Sequence, residues 1–304
     1  MENVIKVSGL TKKYKNFTAL DNLSMTIPKG AIYGFVGKNG AGKTTLIRCI
    51  CGLQRPTSGS YEILGISDSS SDILKVRRRM GAIVESPALY PSLSAVDNMK
   101  QQYLNLGLPS YDGIDDLLKL VGLDNTGKKK AKNFSLGMRQ RLGIAVALCG
   151  NPDFLILDEP INGLDPQGII EMREMILKLN REKGVTILIS SHILDELSKL
   201  ATHYGFIDKG RIIKEMTAQE LENASRKSTR LKVNSTQALS KTLERLDYDY
   251  KIIDDQTADV FTKFNFSELA IECAKDDCNI ASAEEHDEDL EGFFMSLVGG
   301  EKSE

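Results

Sequence analysis

Over the larger, N-terminal part of the chain, short apolar runs alternate with longer stretches whose apolar residues recur at helical spacing. This is the pattern of an α/β domain from Val4 to about Ala218. Three runs, Ala31 to Val36, Phe154 to Leu157 and Val185 to Ile189, are apolar at consecutive positions. They predict strands covered on both faces, each followed by a helix. The segment Thr18 to Ile27 alternates instead and runs into Pro28-Lys29-Gly30, which predicts an antiparallel strand of an edge sheet entering a turn. Between Ser92 and Leu123 the spacing becomes helical, with Leu104, Leu117, Leu118 and Leu120 available for the packed face of a helical subdomain.

Beyond Ala218 the texture changes. A strand at Leu231 to Val233, a helix near Thr236 to Leu246, strands near Tyr250 and Val260, a helix from about Ser267 and a strand near Ile280 are predicted. Their β-α-β-β-α-β order is that of a ferredoxin-like unit. Leu290, Phe293, Phe294 and Leu297 are spaced for a final amphipathic helix, read as packed on this unit rather than as a membrane anchor. The expected organisation is a larger α/β domain over residues 1–218 and a small α+β domain over residues 219–304.

Composition supports this division without adding a function. The chain has 304 residues, enough for one larger domain and a smaller one. It is 41% apolar and 27% charged, ordinary globular values. Lys and Arg total 39 against 42 for Asp and Glu, a formal net charge of -3, so no global pull toward nucleic acid is expected. The run Lys128 to Lys132 (KKKAK) reads as a solvated face. No stretch reaches the ~18 consecutive apolar residues needed to span a bilayer. The start, Met1 to Lys6, lacks the charged-then-apolar pattern of a secretory signal, so a cytosolic location is expected. The cysteines, Cys49, Cys51, Cys149, Cys273 and Cys278, have no paired C-x-x-C spacing and few histidines to join them. They read as reduced, mostly buried thiols rather than a structural metal site.

The first chemical signal lies between the run ending at Val36 and the helix after it. Gly37-Lys38-Asn39-Gly40-Ala41-Gly42-Lys43-Thr44 fits the G-x-x-x-x-G-K-[ST] pattern in the strand-to-helix setting that the pattern requires. Glycines let the backbone turn tightly with its N–H groups inward, and the helix beginning near Lys43 directs its positive end at the same point, so phosphate is the expected ligand. Lys43 would pair with β- and γ-phosphates, Thr44 would place its hydroxyl on Mg²⁺, and Thr45 would donate to an α-phosphate oxygen. A second signal is Phe154-Leu155-Ile156-Leu157-Asp158-Glu159, a buried strand that delivers two carboxylates at its carboxyl end, where α/β sheets bind ligands. There Asp158 would hold Mg²⁺ through water and Glu159 would polarise the water that attacks the γ-phosphate.

Phosphate loops occur in many NTPases. The segment Phe134-Ser135-Leu136-Gly137-Met138-Arg139-Gln140-Arg141 resembles the signature of ABC ATPases. The usual core reads L-S-G-G-Q, so Ser135 and the second glycine, Gly137, are kept, while Leu136 and Met138 replace a glycine and a glutamine. That variant looks like the antibiotic-resistance and ABC-2 exporter branch. The resemblance covers essentially Val4 to Met216 and implies the mixed-sheet core, antiparallel edge sheet and helical subdomain of an ABC ATPase. It also implies several site residues by position. Tyr14, in Thr11-Lys12-Lys13-Tyr14, matches the aromatic that stacks on adenine. Asp165, in Asn162-Gly163-Leu164-Asp165-Pro166, matches the aspartate that communicates across a dimer, and His192, after Ser190-Ser191, matches the switch histidine at the γ-phosphate. Gly37, Asn39, Gly40, Ala41 and Gly42 complete the expected nucleotide contacts.

The main departure is Glu85, in Gly81-Ala82-Ile83-Val84-Glu85-Ser86-Pro87, where most of the family has glutamine. A glutamate there can still bind Mg²⁺ or orient water, and it adds negative charge beside the γ-phosphate. The Glu-Ser-Pro form resembles ATPases of bacitracin- and lantibiotic-type peptide export and immunity. In this family the signature of one subunit reaches the γ-phosphate held by another, so the resemblance implies a dimer, homodimeric or with a close paralogue. It also implies a separate ABC-2-type permease, reached through the groove between the Glu85 loop and the Ser92 to Gly122 helices, as the only contact with the cell membrane, whose inner face is the expected location. An importer ATPase and a soluble non-transport ABC ATPase are the alternatives. The Leu136-Gly137-Met138 signature and Glu85 disfavour an importer. A ribosome-remodelling protein normally carries two cassettes in one chain, and a chromosome-structure ATPase needs a long heptad insertion before the signature.

Overall fold

The computed structural model describes residues 2–224, 227–287 and 290–299. The chain divides into two compact units, Met1–Gln219 and Glu220–Glu304.

The larger unit is built on two sheets. Strands Asn3–Tyr14 and Phe17–Pro28 pair antiparallel and join Ser58–Ile63 and Ile66–Ser67 in a four-stranded sheet, with Phe17–Pro28 at its edge. The second sheet has six strands in the order Arg211–Thr217, His203–Asp208, Ile32–Val36, Thr186–Ser191, Phe154–Asp158 and Met80–Ile83. All its neighbours are parallel except Arg211–Thr217, which pairs antiparallel with His203–Asp208. Ile32–Val36, Phe154–Asp158 and Thr186–Ser191 are buried at every position, the reason their sequences show no polar alternation. Helices Lys43–Ile50, Pro166–Lys183 and Leu194–Ser198 follow them in turn.

One core joins both sheets to the helix after the phosphate loop. Val7, Leu20 and Ile63 of the antiparallel sheet pack in the same cluster as Phe35, Ile156 and Leu188 of the parallel sheet and Leu46, Ile47 and Ile50 of the helix. Burial of Leu46, Ile47, Cys49 and Ile50 fixes that helix in the core, which matters because its first turn carries the site.

The helical stretch forms Ala95–Leu106 and Ile114–Leu120, but its packed face differs from the one expected. Ala95, Asn98, Met99 and Tyr103 are buried, whereas Leu104 is 60% exposed. The buried set follows the i, i+3, i+4, i+8 spacing of one face, and Leu104 lies about 100° round the helix from Tyr103. Leu118 is buried as expected, with Leu117 and Leu120 half-buried. Lys128, Lys129, Lys130 and Lys132 are exposed around the buried Ala131.

In the smaller unit, strands Lys227–Val233, Tyr250–Ile252, Thr257–Val260 and Ile280–Asp287 alternate with helices Thr236–Arg245 and Phe266–Ala274 in β-α-β-β-α-β order. The sheet runs Tyr250–Ile252, Thr257–Val260, Lys227–Val233, Ile280–Asp287 with antiparallel pairing throughout, so the expected ferredoxin-like unit is formed. Its core gathers Leu231, Val233, Leu239, Leu243, Val260, Leu269 and Cys273. In the last helix, Leu290–Gly299, the side chains of Leu290, Phe293 and Phe294 are buried. Among the described residues no helix is long and apolar enough to cross a membrane. The cysteines are free thiols, and burial pushes the Cys51, Cys149 and Cys273 thiols up to about 12.

One close approach ties the helix Leu136–Ala147 to the edge strand Met80–Ile83. A Cβ on Gly81 would stand 2.2 Å from the Ala147 carbonyl oxygen and 3.0 Å from Leu155 Cδ1. Gly81→Ala is therefore expected to destabilise the larger unit by about 1–3 kcal/mol, read as a lowered thermal midpoint. An unchanged midpoint would show that the helix shifts freely along the strand.

Candidate functional site

The strand Ile32–Val36 ends in the loop Gly37 to Gly42, which opens the helix Lys43–Ile50. Gly42 has φ 113°, and a Cβ there would meet the Ala19 carbonyl oxygen at 2.6 Å, so the position accepts only glycine. No side chain caps this helix, leaving its first N–H groups available to an anion. The Lys43 side chain is buried, and its Nζ donates to the Gly37 carbonyl at 2.6 Å and lies 3.8 Å from Glu159 Oε1. Burial pulls the Lys43 pKa below the ordinary lysine value, with Glu159 and Asp158 acting in the opposite direction. An ammonium held this way gains most from a multiply charged anion. The hollow above the loop, about 410 Å³, is lined by Lys38, Asn39, Gly40, Gly42, Lys43, Thr44 and Thr45 together with Phe17, Ala19, Glu159, Asn162 and His192.

Sheet register brings both acids to the sheet edge at this hollow, which Glu159 lines. Val36 pairs with Ser191, and Ser190 with Asp158, so the three strand ends come level. Asp158 is fully buried, and its Oδ1 accepts from Ser190 Oγ at 2.5 Å, while Oδ2 is buried with no hydrogen-bond partner. The Ser190 hydroxyl also accepts from the Glu159 backbone N–H at 3.0 Å. Glu159 turns out of the strand with φ 52°, and its Oε2 accepts from His192 Nδ1 at 2.7 Å. Glu159 is thus held between an ammonium and an imidazole at the mouth of the phosphate loop. The unpartnered Asp158 oxygen and the Thr44 hydroxyl are hard oxygen donors of the kind Mg²⁺ takes through water.

Other expected residues stand elsewhere. Ser135 caps the helix Leu136–Ala147, its Oγ accepting from Met138 N–H at 3.2 Å. Asp165 caps Pro166–Lys183 by accepting from Gly168 N–H at 3.2 Å. Ser135, Gly137 and Asp165 line a separate hollow of about 340 Å³ that contains no residue of the phosphate loop. Within one chain the signature and the phosphate loop therefore do not meet. The side chain of Ala41 is buried, and it lines a hollow of about 270 Å³ with Phe17 and Asn39.

Two of the expected residues do not line the phosphate-loop hollow. The Tyr14 hydroxyl donates to Gln54, the Lys12 ammonium lies 5.2 Å over its ring, and Tyr14 does not line the phosphate-loop hollow. The aromatic that does is Phe17, 60% exposed and paired in register with Tyr14. Its signal in the sequence was an apolar ring at the exposed end of a strand. Glu85 does not line the hollow that Thr44 lines and forms an ion pair with Arg48. It lines a neighbouring hollow of about 450 Å³ with Pro87, Leu89, Leu136 and Gln140, which shares Glu159 and Asn162 with the phosphate-loop hollow. Sequence reasoning also passed over Ser190, although it adjoins the quoted histidine, because nothing local marks a serine as the tether of a carboxylate on another strand.

A phosphate loop on a parallel sheet with paired acids at its carboxyl edge defines a P-loop ATPase. The family model for ABC transporters matches residues 20–162. BcrA of Bacillus licheniformis, a bacitracin transport ATP-binding protein, is 40% identical over 99% of both chains. SrtF of Streptococcus pyogenes, a lantibiotic transport ATP-binding protein, is 49% identical over 72% of this chain and 93% of its own. Among solved structures, the dimeric ATP-binding cassette MJ0796 in a post-hydrolysis state with ADP and Pi is similar, at 26% identity and TM-score 0.64. It covers 70% of this chain and 98% of that one. The chain belongs to the ABC transporter family as an ATP-binding, ATP-hydrolysing cassette.

Ser190→Ala removes the hydroxyl that bridges Asp158 Oδ1 and the Glu159 N–H. Steady-state turnover is expected to fall about 10-fold to 100-fold, as for other losses of a hydrogen bond that orients a ligating group. Nucleotide affinity should stay near wild type. A variant with unchanged turnover would mean that the acids keep their positions without the bridge.

Proposed function

We propose that this chain is the ATPase subunit of an exporter that moves peptide antibiotics of the bacitracin or lantibiotic kind through a separate ABC-2-type permease, serving resistance or immunity. The observation that carries the catalytic part is Glu159 set between Lys43 and His192 beside the phosphate loop. The likeness to BcrA along the whole chain, including the smaller unit, supports the cargo class. The cassette then works at the inner face of the cell membrane and reaches it only through the permease.

In this reading the N–H groups of the loop and the Lys43 ammonium hold the β- and γ-phosphates, with Thr45 on the α-phosphate. Phe17, and Tyr14 beside it in register, flank the base. Thr44 and, through water, the free oxygen of Asp158 would hold Mg²⁺, which would supply positive charge to offset that of the phosphates. Glu159 accepts a hydrogen bond from the attacking water and takes its proton as the oxygen approaches the γ-phosphorus. His192 holds that carboxylate in place and can donate toward the γ-phosphate.

A second copy or a close paralogue supplies the missing half. Ser135 and the Gly137 N–H, at the start of a helix, suit phosphate oxygens, but their hollow is apart from the phosphate loop of their own chain. Two nucleotides between two chains satisfy both halves, and Asp165, at the same rim as Ser135, links them. The hollow beside Glu85, walled by Pro87, Leu89, Pro91 and Leu136, offers the apolar surface on which a permease segment can bear. The smaller unit is read as an appendage that stabilises the dimer.

Glu159→Gln should keep ATP affinity, reduce hydrolysis on the order of a thousandfold and accumulate a dimer with ATP on gel filtration. Normal turnover in that variant would remove Glu159 from the role of base. For the cargo, co-expression with its cognate permease should raise tolerance to bacitracin or a lantibiotic, and Glu159→Gln should abolish the gain. Tolerance independent of hydrolysis would contradict an exporter.

A further inference from the structure

Glu85 is the main departure from the usual family pattern, and the structure gives that carboxylate a partner. The strand Met80–Ile83 lies parallel to Phe154–Asp158 with Ile83 opposite Leu157, so Glu85 and Glu159 both stand two residues beyond the same level of one sheet edge. The hollows above them share Glu159 and Asn162. A free carboxylate at this place would oppose the charge of ATP and attract a divalent cation. It is not free: Arg48 Nη2 lies 2.5 Å from Glu85 Oε1. Arg48 is four residues beyond Thr44 in the helix Lys43–Ile50, and therefore on the same helix face as the hydroxyl expected to meet Mg²⁺. Glu85 holds φ 63° in a tight turn in which Ser86 N–H reaches the Val84 carbonyl at 2.7 Å.

We propose that Arg48 is a positioning residue for Glu85. Its guanidinium competes with the metal position for the Glu85 carboxylate, so that the side chain is either held by Arg48 or turned toward the metal. The inference rests on the reading that Thr44 and Asp158 hold Mg²⁺. The pair is suited to this exchange because its side chains are 36% and 60% exposed. Half-exposed ion pairs are weak, and a divalent cation competes with them easily.

The test is Mn²⁺ affinity, measured by electron paramagnetic resonance with a non-hydrolysable ATP analogue, in the wild type, Arg48→Gln, Glu85→Gln and the double variant. Arg48→Gln should tighten Mn²⁺ binding about fivefold by freeing Glu85, and in the Glu85→Gln background the same change should move it less than about twofold. The thermal midpoint of the nucleotide-free protein should barely shift, which separates positioning from a structural role. Arg48→Lys, which keeps the charge but not the planar fork, should give an intermediate tightening that again vanishes with Glu85→Gln, and it carries the test if Arg48→Gln does not fold. A tightening that persists without Glu85 is a diffuse field effect and overturns the proposal, as does no tightening at all. Failure of the wild type to bind Mn²⁺ with the analogue would instead overturn the metal site on which the proposal rests.

Discussion

Parallel pairing of Ile32–Val36 with Thr186–Ser191, and of that strand with Phe154–Asp158, is the constraint from which the site follows. Each strand is buried along its length, so its register is fixed by core packing. With Val36 opposite Ser191 and Asp158 opposite Ser190, the first loop residue, the tethering serine, the histidine and both acids emerge at one edge. A slip by one residue would turn Asp158 to the other face and part it from Ser190. The core around Leu46, Ile47 and Ile50 sets the helix after the loop against the same sheet, which makes Lys43 reach Glu159 without any flexible segment between them.

Electrostatics at that edge rest on two ion pairs. Asp158, Glu159 and Glu85 bring negative charge to a place that takes a polyphosphate. Lys43 stands beside Glu159 and Arg48 beside Glu85, while Asp158 is held by the Ser190 hydroxyl and Glu159 also accepts from His192. The pairs differ in burial. Lys43 is enclosed and its charge is costly until an anion arrives, whereas Arg48 and Glu85 remain wet and exchange partners at small cost. The enclosed pair suits chemistry and the wet pair suits movement.

Local sequence made much of this legible. Consecutive apolar residues identify buried strands because both faces of a parallel sheet are covered, and the glycines of the phosphate loop mark a turn that only glycine permits, with Gly42 at φ 113°. The ferredoxin-like order of the smaller unit was readable from alternating periods, and its sheet order agrees. Leu104 was not readable, because an apolar residue one step off the packed face looks the same in a periodic count. Ser190 and Arg48 escaped for a related reason: each acts on a partner far along the chain, Arg48 on Glu85 across 37 positions and Ser190 on Asp158 across 32.

The sequence by itself determined the ATP-handling chemistry, since a phosphate loop, a strand ending in two acids and a signature are each short and need only their own backbone to take shape. Tertiary structure alone decided which groups share a hollow. It set Phe17 rather than Tyr14 at the phosphate-loop hollow, separated Ser135 from the loop of its own chain, and paired Glu85 with Arg48. Those outcomes depend on register between strands and on the faces that helices bury, which the packing of distant apolar residues fixes and no local pattern records.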